Sequence, residues 1–177
     1  MDKRKGTIDQ WVDQYYQKIY KLCLFYLKDE QEAKDLLQDI FLKIHKNASS
    51  FKGEAGVYTW IYRLAVNTIL NHLRRKKIIQ FLSFSQVAEK NGEKWLKNGG
   101  PDPAKRLEDL EKSQNRLIRL NQAIEKLSDR EKTAFYLFFY DQMKQKEIAA
   151  IMNTSVSGVE SLIHKAKNKI RRFFSSP

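Results

Sequence analysis

Apolar residues recur at three- and four-residue steps along most of the chain, and nowhere does the two-residue alternation of a half-buried strand replace them. Ile8, Trp11, Val12, Tyr15, Tyr16, Ile19, Leu22 and Cys23 form the first such stripe. Lys28, Asp29 and Glu30 interrupt it, and Asp29 is placed to cap a second helix carrying Ala33, Leu36, Leu37, Ile40, Phe41 and Ile44 on one side. Asp35, Gln38 and Asp39 are left facing outward. The small and polar run NASSFKGEAG reads as a loop, after which Val57, Trp60, Ile61, Leu64, Ala65, Thr68, Ile69 and Leu73 mark a third helix. Three amphipathic helices of this kind can enclose one small core.

From about Ile78 to Pro103 the periodicity is lost and Asn, Gly, Ser and Pro accumulate, which predicts a linker with Phe81, Leu82, Phe84 and Trp95 as possible docking residues. Helical spacing resumes at Ala104 and continues through Leu107, Leu110, Leu117, Leu120, Ala123, Ile124 and Leu127. In LSDRE, Ser128 and Glu131 have the spacing of a capping box, opening a helix through Ala134, Phe135, Leu137 and Phe138. A short helix over Ile148, Ala149, Ile151 and Met152 follows. Asn153 is suited to the left-handed conformation that ends it, and Ser155 or Ser157 can cap a longer last helix that buries Val159, Leu162, Ile163, Ala166 and Ile170. The expectation is an all-α chain of two small helical domains, 1–78 and 104–177, joined by a flexible linker over 79–103.

Charge adds a partner class. The 177 residues carry 33 basic and 21 acidic side chains, a net charge of +12. The excess is uneven, since Arg63 to Lys77 and Lys165 to Arg172 contain no acidic residue. Two basic patches on predicted helices favour an anionic partner. Cys23 is the only cysteine, so an intrachain disulfide is excluded, and three scattered histidines make no metal centre. Neither a signal peptide nor a membrane span is expected, which predicts a soluble cytoplasmic protein with no direct membrane insertion. No glycine-rich phosphate loop, nucleophile pair or carboxylate cluster is present to support catalysis, so no cofactor and no enzymatic activity are expected.

The last two helices have the pattern of a helix-turn-helix, in which the second element lies in the major groove. With its apolar stripe buried, that element presents Ser157, Glu160, Ser161, His164, Lys165 and Lys167: donors, an acceptor and cations fitted to base edges and phosphates. Glu160 has two readings, an acceptor for a cytosine amino group or the partner of a Ser157 cap. In YTWIYRLAVNTILNHLRRKK, Trp60 lies on the buried stripe, whereas Tyr58 and Tyr62 do not. Arg63, Asn67, Asn71 and Arg74 share one polar face. Aromatic rings beside such a face suit unpaired bases better than duplex DNA.

Three collinear segments, EAKDLLQDIFLKI, FKGEAGVYTWIYRLAVNTILNHLRR and LSDREKTAFYLFFYDQMKQKEIAAIMNTSVSGVESLIHKAKNKIRRF, resemble the extracytoplasmic-function (ECF) sigma factors, bacterial transcription initiation factors of the sigma-70 superfamily. The resemblance implies a sigma domain 2 that binds core RNA polymerase and melts the minus-10 element, and a sigma domain 4 that reads the minus-35 element. Asp35, Leu36, Gln38, Asp39 and Phe41 occupy positions that dock on the β′ clamp helices, with core packing as the simpler reading of Leu36 and Phe41. The β flap is a second implied contact. Tyr58, Trp60, Tyr62, Arg63, Asn67, Asn71, Arg74 and Arg75 fall at minus-10 positions, and the outward residues of the last helix at minus-35 positions. Departures are Gly158, where many relatives have threonine, and Glu160, where they have a basic residue. The family is usually restrained by an anti-sigma factor, an implied further partner. Competing readings are a helix-turn-helix regulator acting without polymerase, and a sigma-like decoy for an anti-sigma protein.

Overall fold

Asp29 has the extended backbone of an N-cap, and its carboxylate accepts from the Glu32 amide at 2.7 Å, as the sequence predicts. That cap separates α1 (Lys3–Leu27) from α2 (Glu30–Asn47) in a computed structural model that describes residues 3–51, 56–83 and 115–175. A single 3₁₀ turn, Ala48–Ser50, follows α2, and α3 spans Val57–Ser83. The expected linker from 84 onward, with Phe84 and Trp95, lies outside the described residues. So do Ala104, Leu107 and Leu110, the side chains of Ile8, Phe81 and Leu82, and loop positions 52–55.

α3 continues past Ile78, where the apolar period fades. Its basic stretch is partly neutralised by neighbours: Lys76 pairs with Glu32 at 2.7 Å, and Lys77 approaches Asp129 at 4.0 Å. Glu32 also meets His72 at 2.9 Å. Burial alone would push the Glu32 carboxyl up, but the hydrogen bonds from Lys76 and His72 outweigh it and hold the group below its ordinary value.

Further along the chain, α4 is helical over 115–125, followed by α5 (Asp129–Phe139), α6 (Gln145–Met152) and α7 (Val156–Ser175). Ser128 and Glu131 make the predicted capping box. Ser128 Oγ accepts from the Glu131 amide, and Glu131 accepts from the Ser128 amide at 2.8 Å. Asn153 closes α6 with φ 48° and ψ 57°, and the Thr154 amide donates back to the Ala149 carbonyl. Of the two candidate caps for α7, Ser155 is used: its Oγ accepts from the Gly158 amide at 3.0 Å.

Tyr15, Ile19, Leu22 and Cys23 of α1, Leu37, Ile40 and Ile44 of α2, and Ile61, Ala65 and Ile69 of α3 are buried together. The core does not stop there. It runs on into Ala134, Tyr136 and Leu137 of α5, Ile148 and Ile151 of α6, and Val159 and Ile163 of α7. A smaller cluster of Ile124, Leu127, Phe135 and Ala166 braces the far side. The sequence suggests two units packing separately; in the structure they share a seam, because α6 and the turn before it lie against α3.

Candidate nucleic-acid interface

The helix-turn-helix is positioned by α5. Lys169 of α7 reaches the Glu131 carboxylate at 2.7 Å, so the capping box that starts α5 also anchors the last helix. Val159, Ile163 and Ala166 are buried, and Ser157, Glu160, Ser161, His164, Lys165 and Lys167 are all exposed on the opposite side. Ser157 Oγ bonds to Ser155 Oγ at 3.1 Å rather than forming a cap with Glu160, which leaves Glu160 facing outward. His164 has Asn168 within 3.2 Å, and the Lys167 ammonium sits 5.2 Å from the centre of the Phe139 ring. At Gly158 an added Cβ would meet Thr154 Oγ1 at 2.7 Å and Ser155 Oγ at 3.2 Å, so a larger residue there requires the Thr154 side chain to turn aside.

On α3, Asn67, Asn71, Arg74 and Arg75 are exposed, and Arg74 donates to Asn71 Oδ1 at 3.3 Å. The aromatic part of the prediction is corrected in one place. Tyr62, expected off the buried stripe and free to stack, is 0% exposed. Its ring lies 4.6 Å from that of Tyr58 and faces Asp141 of the α5–α6 turn, a neighbour that the local period of α3 does not contain. Burial pushes the Tyr62 phenol far above its ordinary value, and it pushes the Asp141 carboxyl up as well. Tyr58 is half-buried, with its hydroxyl pushed up to about 12 by burial. Trp60 packs at an angle against Trp11 and Phe51 and is likewise half-buried. Arg63 is also half-buried, and its Nη2 donates to the Ala150 carbonyl of α6 at 2.6 Å.

A third surface lies on α2. Asp35, Gln38 and Asp39 are exposed, Phe41 is half-buried, and Leu36, at 3% exposure, belongs to the core as its simpler reading held. Sequence reasoning missed two neighbours of this face. Tyr16, placed on the apolar stripe of α1, is 41% exposed and stacks on Phe41 at 5.9 Å, and Leu42 is 59% exposed one residue further along α2. The signal for Leu42 was available, because it is four residues from Gln38 on the outward side.

An exposed polar and basic face on α3, another on α7 and a mixed acidic–apolar face on α2 sit on a helical scaffold that known proteins share. Over 95% of this chain and 96% of the other, the fold matches the sigma factor RpoE in complex with the anti-sigma factor NepR from Bartonella quintana, with a TM-score of 0.71 at 17% identity. CnrH in complex with the cytosolic domain of CnrY matches with a TM-score of 0.67 at 19% identity, over 97% of this chain and 90% of that one. Sigma-70 region 2 matches residues 11–78, and Sigma-70, region 4 matches residues 117–170. The ECF RNA polymerase sigma factor SigW of Bacillus subtilis is 31% identical over 96% of this chain and 91% of its own length. The ECF RNA polymerase sigma-E factor of Escherichia coli K12 is also 31% identical, over 90% of this chain and 82% of its own length. The chain belongs to the ECF sigma factors and directs RNA polymerase to promoters.

Proposed function

We propose that residues 1–78 and 104–177 divide promoter recognition between unpaired and paired DNA. α7 lies in the major groove of the minus-35 element through Ser157, Glu160, Ser161, His164 and Lys165, while α3 captures bases leaving the minus-10 duplex along Asn67, Asn71, Arg74 and Arg75. The observation that carries this division is the exposure of both faces on one chain, one offering short donors near a helix start and the other amides and guanidinium groups beside aromatic rings. Grip on paired DNA by α7 offsets the unstacking of bases, a few kcal/mol per step.

Asp35, Gln38, Asp39 and Phe41 serve as the polymerase-docking face against the β′ clamp helices, with a second contact at the β flap. A helix-turn-helix regulator acting alone would have no use for this surface. The solved neighbours RpoE and CnrH are complexes with NepR and CnrY, which supports an anti-sigma partner for this chain as well. No described helix is long and apolar enough to cross a membrane, in keeping with work beside cytoplasmic polymerase and DNA.

The deciding experiment adds the protein to core RNA polymerase with a random promoter library, and initiation from a defined set of templates is expected. Within that assay, Asn67→Ala slows open-complex formation and leaves duplex binding intact, whereas Lys165→Ala weakens minus-35 duplex binding first. Equal effects of the two substitutions on both steps would refute the division of labour.

A further inference from the structure

The start of α7 carries two side chains that the fold itself does not use. Val156, the first residue of the helix, is 41% exposed, although Val159 and Ile163 of the same helix are buried in the core. Glu160 is exposed, and among the described residues no hydrogen bond or ion pair engages its carboxylate. The capping role open to it in the sequence is already filled: Ser155 Oγ accepts from the Gly158 amide, and Ser157 Oγ bonds to Ser155 Oγ. One turn further on, His164 is occupied by Asn168 at 3.2 Å, and no lysine or arginine stands three or four residues to either side of Glu160.

An exposed valine by itself is ordinary, and so is an unpaired surface carboxylate. Their placement decides more. Positions 156 and 160 are one turn apart, so the two side chains lie on one side of the helix, about 6 Å apart along its axis and close to the rise of two base pairs at about 3.4 Å each. Both fall on the first two turns of the element that enters the major groove. A carboxylate there is repelled by the phosphates and is tolerated only opposite a donor. The donors on major-groove edges are the exocyclic amines of adenine and cytosine. Adenine's adjoins the N7 acceptor of the same base, which repels a carboxylate, whereas cytosine presents no acceptor of its own in that groove. The apolar group that the groove offers is the C5-methyl of thymine.

We propose that Val156 and Glu160 act as a pair that reads a thymine methyl and a cytosine amino group within two base-pair steps of each other in the minus-35 element. The proposal rests on the role assigned to α7 above and adds Val156 to the residues that meet DNA. Val156 removes the methyl from water, and Glu160 accepts from the cytosine N4 amine. Glu160 selects by exclusion as much as by attraction, since thymine or guanine in place of that cytosine sets an O4 or O6 acceptor against the carboxylate. A basic residue at this position would favour guanine O6 and N7 instead, so the charge of residue 160 selects between sets of promoters.

The test uses the full-length chain with core RNA polymerase. Minus-35 elements recovered from the random promoter library by the wild-type holoenzyme are expected to hold a thymine and a cytosine within two steps, on either strand. Exchanging that cytosine for thymine is expected to weaken wild-type binding about tenfold. Glu160→Gln is expected to move the preference at this position to adenine, whose N6 and N7 a carboxamide meets with an acceptor and a donor. Replacing each thymine of the element in turn by deoxyuridine, which lacks only the methyl, is expected to weaken wild-type binding about fourfold at one position and to leave Val156→Ala indifferent there. The altered promoters probe the wild-type chain directly, so both contacts are tested even if a variant fails to fold. A cytosine preference that survives in Glu160→Gln, the lack of any deoxyuridine-sensitive position, or equal sensitivity in Val156→Ala overturns the pairing and leaves promoter recognition by α7 standing. A wild-type holoenzyme that selects no minus-35 sequence at all strikes that underlying reading as well.

Discussion

Glu131 connects the start of α5 to the last helix, and its removal has a calculable effect. The side chain is 5% exposed by residue, accepts from the Ser128 amide at 2.8 Å and from Lys169 at 2.7 Å, and belongs to the capping box. Losing a helix cap costs about 1 kcal/mol. The bond to Lys169 adds less than a fully buried pair would, because the lysine side chain is 46% exposed and its charge is screened; about 0.5–1 kcal/mol is appropriate. Glu131→Ala should therefore lower stability by about 2 kcal/mol, with Glu131→Gln intermediate, in urea unfolding followed by circular dichroism with an unchanged m value. The deficit should also depend on pH. Burial raises the Glu131 carboxyl, but hydrogen bonds from Lys169 and Ser128 outweigh it, so the folded-state value lies below the ordinary one. Its contribution is then fully present above the unfolded value of about 4.3 and is lost as pH falls through the folded value. The gap between wild type and Glu131→Ala should narrow below about pH 4. A deficit under about 0.5 kcal/mol at pH 7, or one that persists unchanged into acid, would refute the assignment of Glu131 as the link between α5 and α7.

Further outcomes follow from single residues. Asn153 holds a left-handed backbone, so Asn153→Gly should retain thermal stability, whereas Asn153→Val should cost about 1–2 kcal/mol and weaken duplex binding by disturbing the turn. Tyr16→Ala should reduce affinity for core polymerase severalfold in a fluorescence-anisotropy titration while leaving the melting temperature nearly unchanged, because its ring is 41% exposed beside Phe41; wild-type affinity would remove Tyr16 from the docking face. Cys23 is fully buried, with its thiol pushed up to about 12 by burial, so a disulfide reagent at pH 8 should label it only after denaturant is added. Rapid labelling of the native chain would show that α1 opens locally.

What the sequence makes legible is what short-range chemistry decides. Asp29, Ser128 with Glu131, and Asn153 each stop or start a helix through groups at most four residues away, and each acts where the pattern places it. The outward face of α7 is equally readable, because burying one stripe fixes the other. Tyr62 is not readable in that way: the helical period of α3 points it away from the local core, and its burial depends on Asp141 and α6, roughly eighty residues later in the chain. The same holds for Lys76, whose place in a basic run gives no hint of Glu32 across the bundle. Tyr16 fails in the opposite direction, since its spacing matches the stripe yet it lies at the stripe's margin, where Phe41 covers only part of the ring.

The ion pairs within the fold bear on how strongly ionic strength should govern promoter affinity. Lys28, Lys34, Lys76, Lys132 and Lys169 already hold carboxylates of the same chain. A cation so occupied displaces few condensed counterions from a phosphate backbone, so the logarithmic slope of binding against salt is set by the unoccupied ones, such as Arg75 and Lys165, and not by the formal charge of +12. That slope counts the side chains that meet DNA.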